Sequence, residues 1–169
     1  LSDLDLVKNA YKNNLSMGST INIEEGKKPK FLVWASADSL GAPLQRIQII
    51  KGWLKNGKHK EKVFDVVCSD GLMVDSSDFR CPDNGAKVDI ETCKVSDNLG
   101  ASELKSFWED PDFLEDQEAF YYVRVLENPV CRWSTWDSIR AGFKPRSDIP
   151  RTIQERAWTS PIWFEPTKS

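Results

Sequence analysis

The sequence predicts a mainly β fold: an antiparallel β-sandwich, immunoglobulin-like, with short helical insertions and an N-terminal helix. Two runs, 119–127 and 155–164, are rich in the aromatic and β-branched residues that favour pleated, half-buried strands. The turn dipeptide Asn56-Gly57 separates two further long segments with strand-like apolar patterns. Strands joined by hairpins and long connections, with only short helical patterns, are typical of two packed antiparallel sheets.

The first 14 residues predict an amphipathic helix. Ser2-Asp-Leu-Asp5 resembles a capping box, and Leu4, Val7 and Tyr11 lie on one helical face. Such an apolar stripe needs a surface to pack on, and the chain begins at Leu1 without an initiator Met or a signal-like segment.

These features divide the chain into two parts. We expect residues 1–20 to be a linker helix at the junction with an upstream domain of the same polypeptide. Residues 21–169 then form the β-sandwich domain.

The strand predicted over 31–37 places Phe31, Val33 and Ala35 on one face. The next two strands, 44–54 and 59–68, form a hairpin, because Asn-Gly tolerates the positive φ angles of a two-residue type I′ turn. That turn fixes the register and sets two lysines opposite each other, which is unfavourable unless they are well solvated. The predicted pairs are Ile47 with Val66, Ile49 with Phe64 and Lys51 with Lys62.

Residues 69–98 are rich in Asp, Ser, Asn and Gly and predict a long excursion with little regular structure. Residues 101–108 predict a short helix that ends before Pro111, because proline disfavours helical geometry in the residue before it. The side chains expected to point inward from this helix are Leu104, Phe107 and Trp108.

The strand over 119–127 places Tyr121, Val123 and Val125 on one face. Ser134-Thr-Trp-Asp137 resembles a capping box that opens a short helix ending at Gly142. After a connector over 145–150, the last strand contains Pro161. Since proline has no N–H donor, this strand is expected at a sheet edge or with a bulge.

Four cysteines, Cys68, Cys81, Cys93 and Cys131, form an even set without a C-x-x-C pair. A zinc site and four reduced thiols are the alternatives to disulfides. We favour disulfides, with Cys81 joined to Cys93 across a polar, turn-rich segment and Cys68 to Cys131, although four cysteines allow three connectivities. Disulfides indicate a periplasmic or extracellular location.

Composition argues against several classes of function. A net charge of −3 and a pI near 5.3 argue against nucleic-acid binding, which needs a clustered basic face. No apolar stretch approaches the ~20 residues that span a bilayer, so no membrane insertion is expected. The nucleophile-elbow, phosphate-binding-loop and dinucleotide-binding motifs are absent from the sequence.

Candidate reactive groups are few. The single histidine, His59, is expected to be exposed beside the hairpin turn, and Lys58 and Lys60 next to it disfavour a cation. The carboxylates of 109–118 and of 70–83 lack EF-hand spacing and are interpreted as solvated loop charge rather than a calcium site. An enzyme that uses paired carboxylates is a third hypothesis, because such pairs converge in space rather than in sequence.

Seven tryptophans suggest carbohydrate binding through exposed indole rings. The competing interpretation is that they fill the core, since aromatic residues dominate core energetics. We expect Trp34, Trp158 and Trp163, in or beside the strands, to fill the core, and Trp133 and Trp136 to hold the short helix. Trp53, near the hairpin tip, is the candidate for an exposed ring.

Several stretches resemble the C-terminal region of the domain-of-unknown-function 3604 family, whose members are similar to PHP-type metal-dependent hydrolases. The resemblance covers nearly the whole chain. It rests on Phe31-Leu-Val-Trp34, Leu44-Gln-Arg-Ile-Gln-Ile-Ile-Lys-Gly-Trp53, Lys62-Val-Phe-Asp-Val-Val-Cys-Ser-Asp-Gly71, Cys81-Pro-Asp-Asn-Gly-Ala86, Phe120-Tyr-Tyr-Val-Arg-Val-Leu-Glu-Asn-Pro129, Cys131-Arg-Trp-Ser-Thr135 and Ile153-Gln-Glu-Arg-Ala-Trp-Thr-Ser-Pro-Ile-Trp163.

The resemblance implies that the metal ligands lie in an upstream, barrel-like domain, because none of those motifs matches a position here. We therefore assign this chain no catalytic, cofactor-binding or metal-binding residue and no cofactor. The main hypothesis is a non-catalytic C-terminal β-sandwich that packs on and supports that upstream domain, its partner in the same polypeptide. The alternative is a module that binds carbohydrate or a cell-surface polymer through exposed aromatic residues.

Overall fold

The computed structural model describes residues 3–22 and 26–166 as a mainly β fold, which confirms the predicted fold class. In chain order the elements are α1 (Asp3–Asn13), β1 (Thr20–Ile21), β2 (Lys30–Ser36), β3 (Leu44–Lys55), β4 (Lys58–Cys68), β5 (Glu103–Glu109), β6 (Ala119–Glu127), β7 (Val130–Cys131), α2 (Trp133–Ala141), β8 (Thr152–Ile153), β9 (Arg156–Trp158) and β10 (Ile162–Phe164). No helix among these residues is long and apolar enough to cross a membrane.

Two sheets face each other across one core. The main sheet has the strand order β1-β10-β6-β3-β4, with β9 also paired to β6, and its only parallel pair within the described residues is β1 with β10. The second sheet is the antiparallel pair β2-β5. Alternating side chains of β3 and β6 meet those of the β2-β5 sheet in the core. The buried members include Phe31, Val33, Ile47, Ile49, Leu104 and Tyr121.

The β3-β4 hairpin follows the predicted register in part. Asn56 and Gly57 both have positive φ, and Ile49 lies opposite Phe64 as expected. The predicted pairing of Ile47 with Val66 is wrong, because a β-bulge inserts Val66 and leaves Ile47 opposite Val67. Beyond the bulge the pairing of β3 with β4 is shifted by one residue, so the turn alone no longer predicts which residues lie opposite each other.

The predicted helix over 101–108 is wrong: residues 103–109 form strand β5. Leu104 and Trp108 are four apart, which suits one face of a helix but equally one face of a strand. Both side chains do point towards the core. Phe107 is 68% exposed, because the strand period of two turns it outward.

The last predicted strand is divided into β9 and β10, which pair with two successive stretches of β6. Since β3 occupies the other edge of β6, the two short strands lie end to end along one edge. Between them the Thr159 hydroxyl oxygen accepts a hydrogen bond from Val123 N–H at 3.0 Å, in place of a ladder bond. The strand containing Pro161 was expected at a sheet edge or with a bulge; instead it is interrupted there, and β10 has β1 on its other side.

Helix α2 begins at Trp133 and not after Ser134. Arg132 is the N-cap residue and no side chain caps the helix, so the predicted capping box does not form. The end of the helix is as predicted: Gly142 adopts the left-handed conformation. Its N–H donates to Ile139 O and that of Phe143 donates to Ser138 O, which together make a Schellman motif.

All four cysteines form disulfides, but the favoured pairing was wrong. Cys68 is bonded to Cys81 and Cys93 to Cys131. The excursion between β4 and β5 is thus fastened at two points, to the end of β4 and to β7. The two disulfides support an oxidising, extracellular or periplasmic setting.

We predict that the two disulfides stabilise the fold unequally. The loops they close span 13 and 38 residues of sequence separation, for which chain entropy gives about 3 and about 4 kcal/mol. Urea unfolding of Cys68→Ser/Cys81→Ser and Cys93→Ser/Cys131→Ser should show the larger loss for the second double variant. Equal losses, or non-reduced peptide maps that link Cys81 to Cys93, would contradict this assignment.

Candidate functional site

The predicted like-charge pair of the hairpin is present, and each lysine has its own aspartate. Lys51 lies opposite Lys62, and Lys51 Nζ is 2.7 Å from Asp110 Oδ2. Lys62 Nζ contacts Asp112 Oδ2 at the exposed side of the same segment. Residues 110–112, which follow β5, thereby neutralise the two facing cations of the main sheet.

The Lys51–Asp110 pair is buried within the sandwich. Lys51 is 2% and Asp110 1% exposed, so the interpretation of Asp110 as solvated loop charge was wrong. Lys51 Nζ also donates to Asp112 O at 2.9 Å, and the Tyr121 hydroxyl donates to Asp110 Oδ2 at 2.8 Å. Burial and the adjacent Asp110 carboxylate raise the pKa of Tyr121 well above its usual value. The phenol therefore stays protonated and acts as a donor.

A second buried carboxylate, Asp65 of β4, anchors the excursion to the main sheet. It accepts hydrogen bonds from Gln48 Nε2 at 2.6 Å and from Cys81 N–H at 2.7 Å. Arg46 forms an ion pair with it at 3.2 Å. Both carboxylate oxygens of Asp65 are therefore engaged in contacts within the protein, which indicates a structural role for this residue.

Three aspartates of residues 70–83 stabilise the turns in which they lie. Asp75, Asp78 and Asp83 each accept a hydrogen bond from the backbone N–H two residues further on. Within the described parts of the chain, no three metal-ligating side chains are grouped closely enough to hold an ion. His59 lies exposed at the hairpin tip.

The structure brings aromatic rings to the outer face of the main sheet, where sequence reasoning did not place them. Trp163 lies opposite Phe120 and Trp158 opposite Arg124, and both indole rings are exposed. The expectation that these two tryptophans fill the core was therefore wrong. Trp53 was also misplaced, since it packs partly buried against the core.

We call Phe120, Tyr122, Trp158 and Trp163 the outer aromatic strip. The rings of Phe120 and Tyr122 are within 15° of parallel, with centroids 6.4 Å apart, and Trp163 lies 5.2 Å from Phe120. Phe120 reaches across to Gly52 of β3, where a Cβ atom would come within 2.3 Å of its ring. The glycine therefore makes room for the ring against the sheet.

A cavity of about 200 Å³ lies beside α2; we call it the α2 cavity. It is bordered by the start of α2 and by the connector that follows the helix. Its lining includes Trp133, Asp137, Phe143, Arg146 and Arg151. Trp133 and Trp136 were expected to hold the helix, but Trp133 is 74% exposed. Trp136 stacks with Arg140 of the same helix at 5.3 Å.

A similar cavity of about 200 Å³ lies at the edge where β9 meets the sandwich, and two carboxylates line it. Glu127 and Glu155 both line it. Burial, with the nearby carboxylates of Glu155 and Asp38, raises the pKa of Glu127. An enzyme of the paired-carboxylate type would use this pair.

Helix α1 presents its predicted apolar stripe to solvent. Leu4 is 63% and Tyr11 79% exposed, and Val7 between them is also exposed. Leu15 and Met17, which follow the helix, continue the apolar surface. The stripe was foreseen from the spacing of these residues; the capping box at Ser2 lies outside the described residues.

One family model matches this chain over residues 1–166, and its description is "Protein of unknown function (DUF3604)". The chain belongs to the DUF3604 family. The match covers both α1 and the sandwich, so helix and sheets are parts of one DUF3604 sequence unit. No curated protein and no solved structure matches the chain.

We predict that the buried Lys51–Asp110 pair is needed as a pair. Asp110→Ala should destabilise the protein by about 3–5 kcal/mol, because it leaves the Lys51 ammonium buried without its counter-ion. The double variant Lys51→Met/Asp110→Leu should recover most of that loss. Both values are obtained from urea unfolding.

The matched control is the exposed pair beside it. Asp112→Ala should cost at most about 1 kcal/mol, because the Lys62–Asp112 pair is accessible to solvent. Similar losses for Asp110→Ala and Asp112→Ala would show that burial does not distinguish the two pairs.

Proposed function

We propose that this DUF3604 chain is a non-catalytic β-sandwich domain that packs on and supports a metal-dependent hydrolase domain preceding it in the same polypeptide. The observation that carries the proposal is the exposed apolar stripe of α1, made by Leu4, Val7 and Tyr11. The PHP-like resemblance of the family supplies the expected kind of neighbour. The sandwich supplies shape and adhesion to the assembly.

The stripe is costly to leave in water. Each large apolar side chain is worth about 1.5–3 kcal/mol when it is fully buried. An 11-residue helix is also marginal by itself, since isolated helices shorter than about 12–15 residues are weakly stable. Packing against a neighbouring domain would stabilise both the stripe and the helix.

The connection after α1 is well placed for such a junction. Gly18 N–H donates to Pro161 O at 2.9 Å, and Trp163 N–H donates to Ser19 O at 2.9 Å. These bonds fix the chain just after the helix to the edge of the main sheet. The helix is thus attached to the sandwich at its C-terminal end, with its stripe open to a partner.

We predict that the stripe becomes protected in a longer polypeptide that includes the residues preceding Leu1. Amide hydrogen exchange over residues 4–13 should slow by more than about tenfold relative to this chain alone, because docking adds free energy to helix opening. Leu4→Ser/Tyr11→Ser should abolish that protection. Asn9→Ser/Asn13→Ser, on the opposite face of the same helix, should retain it. Equal exchange in the long and short proteins would contradict the junction, and stoichiometric metal with hydrolase activity in this chain alone would contradict the non-catalytic role.

A second candidate function is recognition of a glycan or cell-surface polymer. It is favoured by the outer aromatic strip, because the exposed rings of Trp158 and Trp163 offer apolar faces on which the C–H faces of sugar rings can pack. Trp163 is the most exposed ring in contact with Phe120. The strip lies on the outer face of the main sheet, away from the β2-β5 layer.

We predict that this chain is retained on at least one of cellulose, chitin and purified peptidoglycan, and that Trp163→Ala weakens retention by about tenfold or more through loss of ring packing. The measurement is a pull-down isotherm on each insoluble polymer. Leu54→Ala, an exposed apolar residue at the hairpin tip, is the control and should bind normally. Unchanged retention of Trp163→Ala would remove the strip from this function.

A further inference from the structure

We propose that the α2 cavity is a binding site for a single pyranose ring of a neutral saccharide. The inference rests on the second proposed function, glycan recognition, and assigns it a site separate from the outer aromatic strip. The cavity lies in the β7-α2-β8 segment, whereas the strip lies on β6, β9 and β10.

The cavity has an aromatic wall that the fold of the helix does not require. Trp133 occupies the first position of α2 and is 74% exposed, and Phe143 just after the helix is 56% exposed. In a Schellman motif the residue at the position of Phe143 usually packs on an apolar residue three or four positions before the cap. Here those positions hold Ser138 and Asp137, so the Phe143 ring has no such partner and lines the cavity instead.

Polar groups beside the rings suit hydroxyls. The Asp137 carboxylate can accept from two adjacent hydroxyls, and Ser134 adds a donor and acceptor. Arg146 donates its Nε and Nη2 hydrogens to Asp148, so its other N–H groups are the ones that can reach a ligand. Arg151 lines the same cavity, and its Nε is buried without a hydrogen-bond partner. Sites for small ligands typically combine apolar and aromatic walls with a few such polar groups.

The charges of the lining favour a neutral ligand. Arg146 Nε donates to Asp148 Oδ1 at 2.9 Å, so its cation is already neutralised. Arg151 lies 3.6 Å from Glu91. With both guanidinium groups paired and the Asp137 carboxylate in the lining, a phosphate or a carboxylate would gain little from entering.

The size of the cavity limits the ligand to one ring. Its volume of about 200 Å³ is below the roughly 300–1,000 Å³ of pockets that bind drug-sized molecules. A glycan would therefore place one residue here and extend into solvent. We accordingly expect weak affinity, with a Kd on the order of 1 mM for a monosaccharide.

The walls of the cavity are held in place before any ligand arrives. The Thr135 hydroxyl donates to Arg151 O at 2.7 Å, which joins the helix to the connector. Arg151 Nη2 donates to Ile90 O at 2.7 Å, and the Cys93–Cys131 disulfide fastens the same loop to β7. A preformed site avoids the cost of ordering its own side chains on binding.

The test uses this chain labelled with 5-fluorotryptophan, with each of the seven ¹⁹F signals assigned by single Trp→Phe variants. Methyl β-glucopyranoside, methyl β-galactopyranoside and methyl N-acetyl-β-glucosaminide are titrated in separate experiments. We expect at least one of them to shift the Trp133 signal saturably while the Trp158 and Trp163 signals stay in place. A Trp133 signal that none of the three sugars shifts would overturn the proposal.

Two variants and one control separate recognition from folding. Asp137→Asn and Phe143→Ala should each weaken the sugar-induced shift of Trp133 by about tenfold, with unchanged urea midpoints. Arg140→Gln, which removes the cation next to Trp136, should bind normally. Normal binding by both Asp137→Asn and Phe143→Ala would also overturn the proposal.

The outcome is distinguishable from failure of the broader function. If sugars move only Trp158 and Trp163, glycan recognition stands and the α2 cavity is excluded. If Trp133 responds while Trp163→Ala leaves polymer retention unchanged, the cavity stands and the strip is excluded. Amide protection of α1 tests the packing function independently of both.

Discussion

The fold depends on how the main sheet accommodates two lysines that its own hairpin register sets side by side. Residues 110–112 supply one aspartate to each, a buried one to Lys51 and an exposed one to Lys62. Because Asp110 directly follows β5, this arrangement attaches the β2-β5 sheet to β3. The Tyr121 hydroxyl adds an attachment to β6. The ion pairs that compensate the two facing lysines thus also connect the two layers of the sandwich.

The sequence predicted the parts of the fold that local chemistry determines. An Asn-Gly turn admits few backbone geometries, so the register near it followed directly, and the glycine that ends α2 was recognised for the same reason. What depends on distant partners was not predictable. The i,i+4 spacing of Leu104 and Trp108 fits both a helix and a strand, and only pairing with β2 selects the strand. Cysteine spacing likewise does not determine which loops meet in space.

The candidate sites likewise divide into those that local sequence determines and those that depend on distant partners. The α1 stripe follows from helical spacing, so the sequence revealed it; whether a ring on a three-residue strand faces the core depends on which residue of β6 lies opposite. Trp158 and Trp163 therefore could not be placed from their own neighbours. The α2 cavity could not be predicted either, because its lining combines residues at the start of the helix with a connector that has no periodic pattern. One signal in the sequence could have indicated it: Asp137 and Ser138 are polar, so Phe143 has no apolar residue on α2 to pack against.

The two borders of the main sheet bear on how this molecule behaves at high concentration. On one side β1 has only two residues, too short to template a neighbouring chain. On the other side β4 carries Lys58, Lys60 and Lys62 near the turn, and Phe79 O accepts a hydrogen bond from Asp65 N–H further along. Lysines and added cover are both means by which proteins discourage edge-to-edge growth into fibrils. Both borders of the main sheet thus carry features that oppose pairing with further copies of the chain.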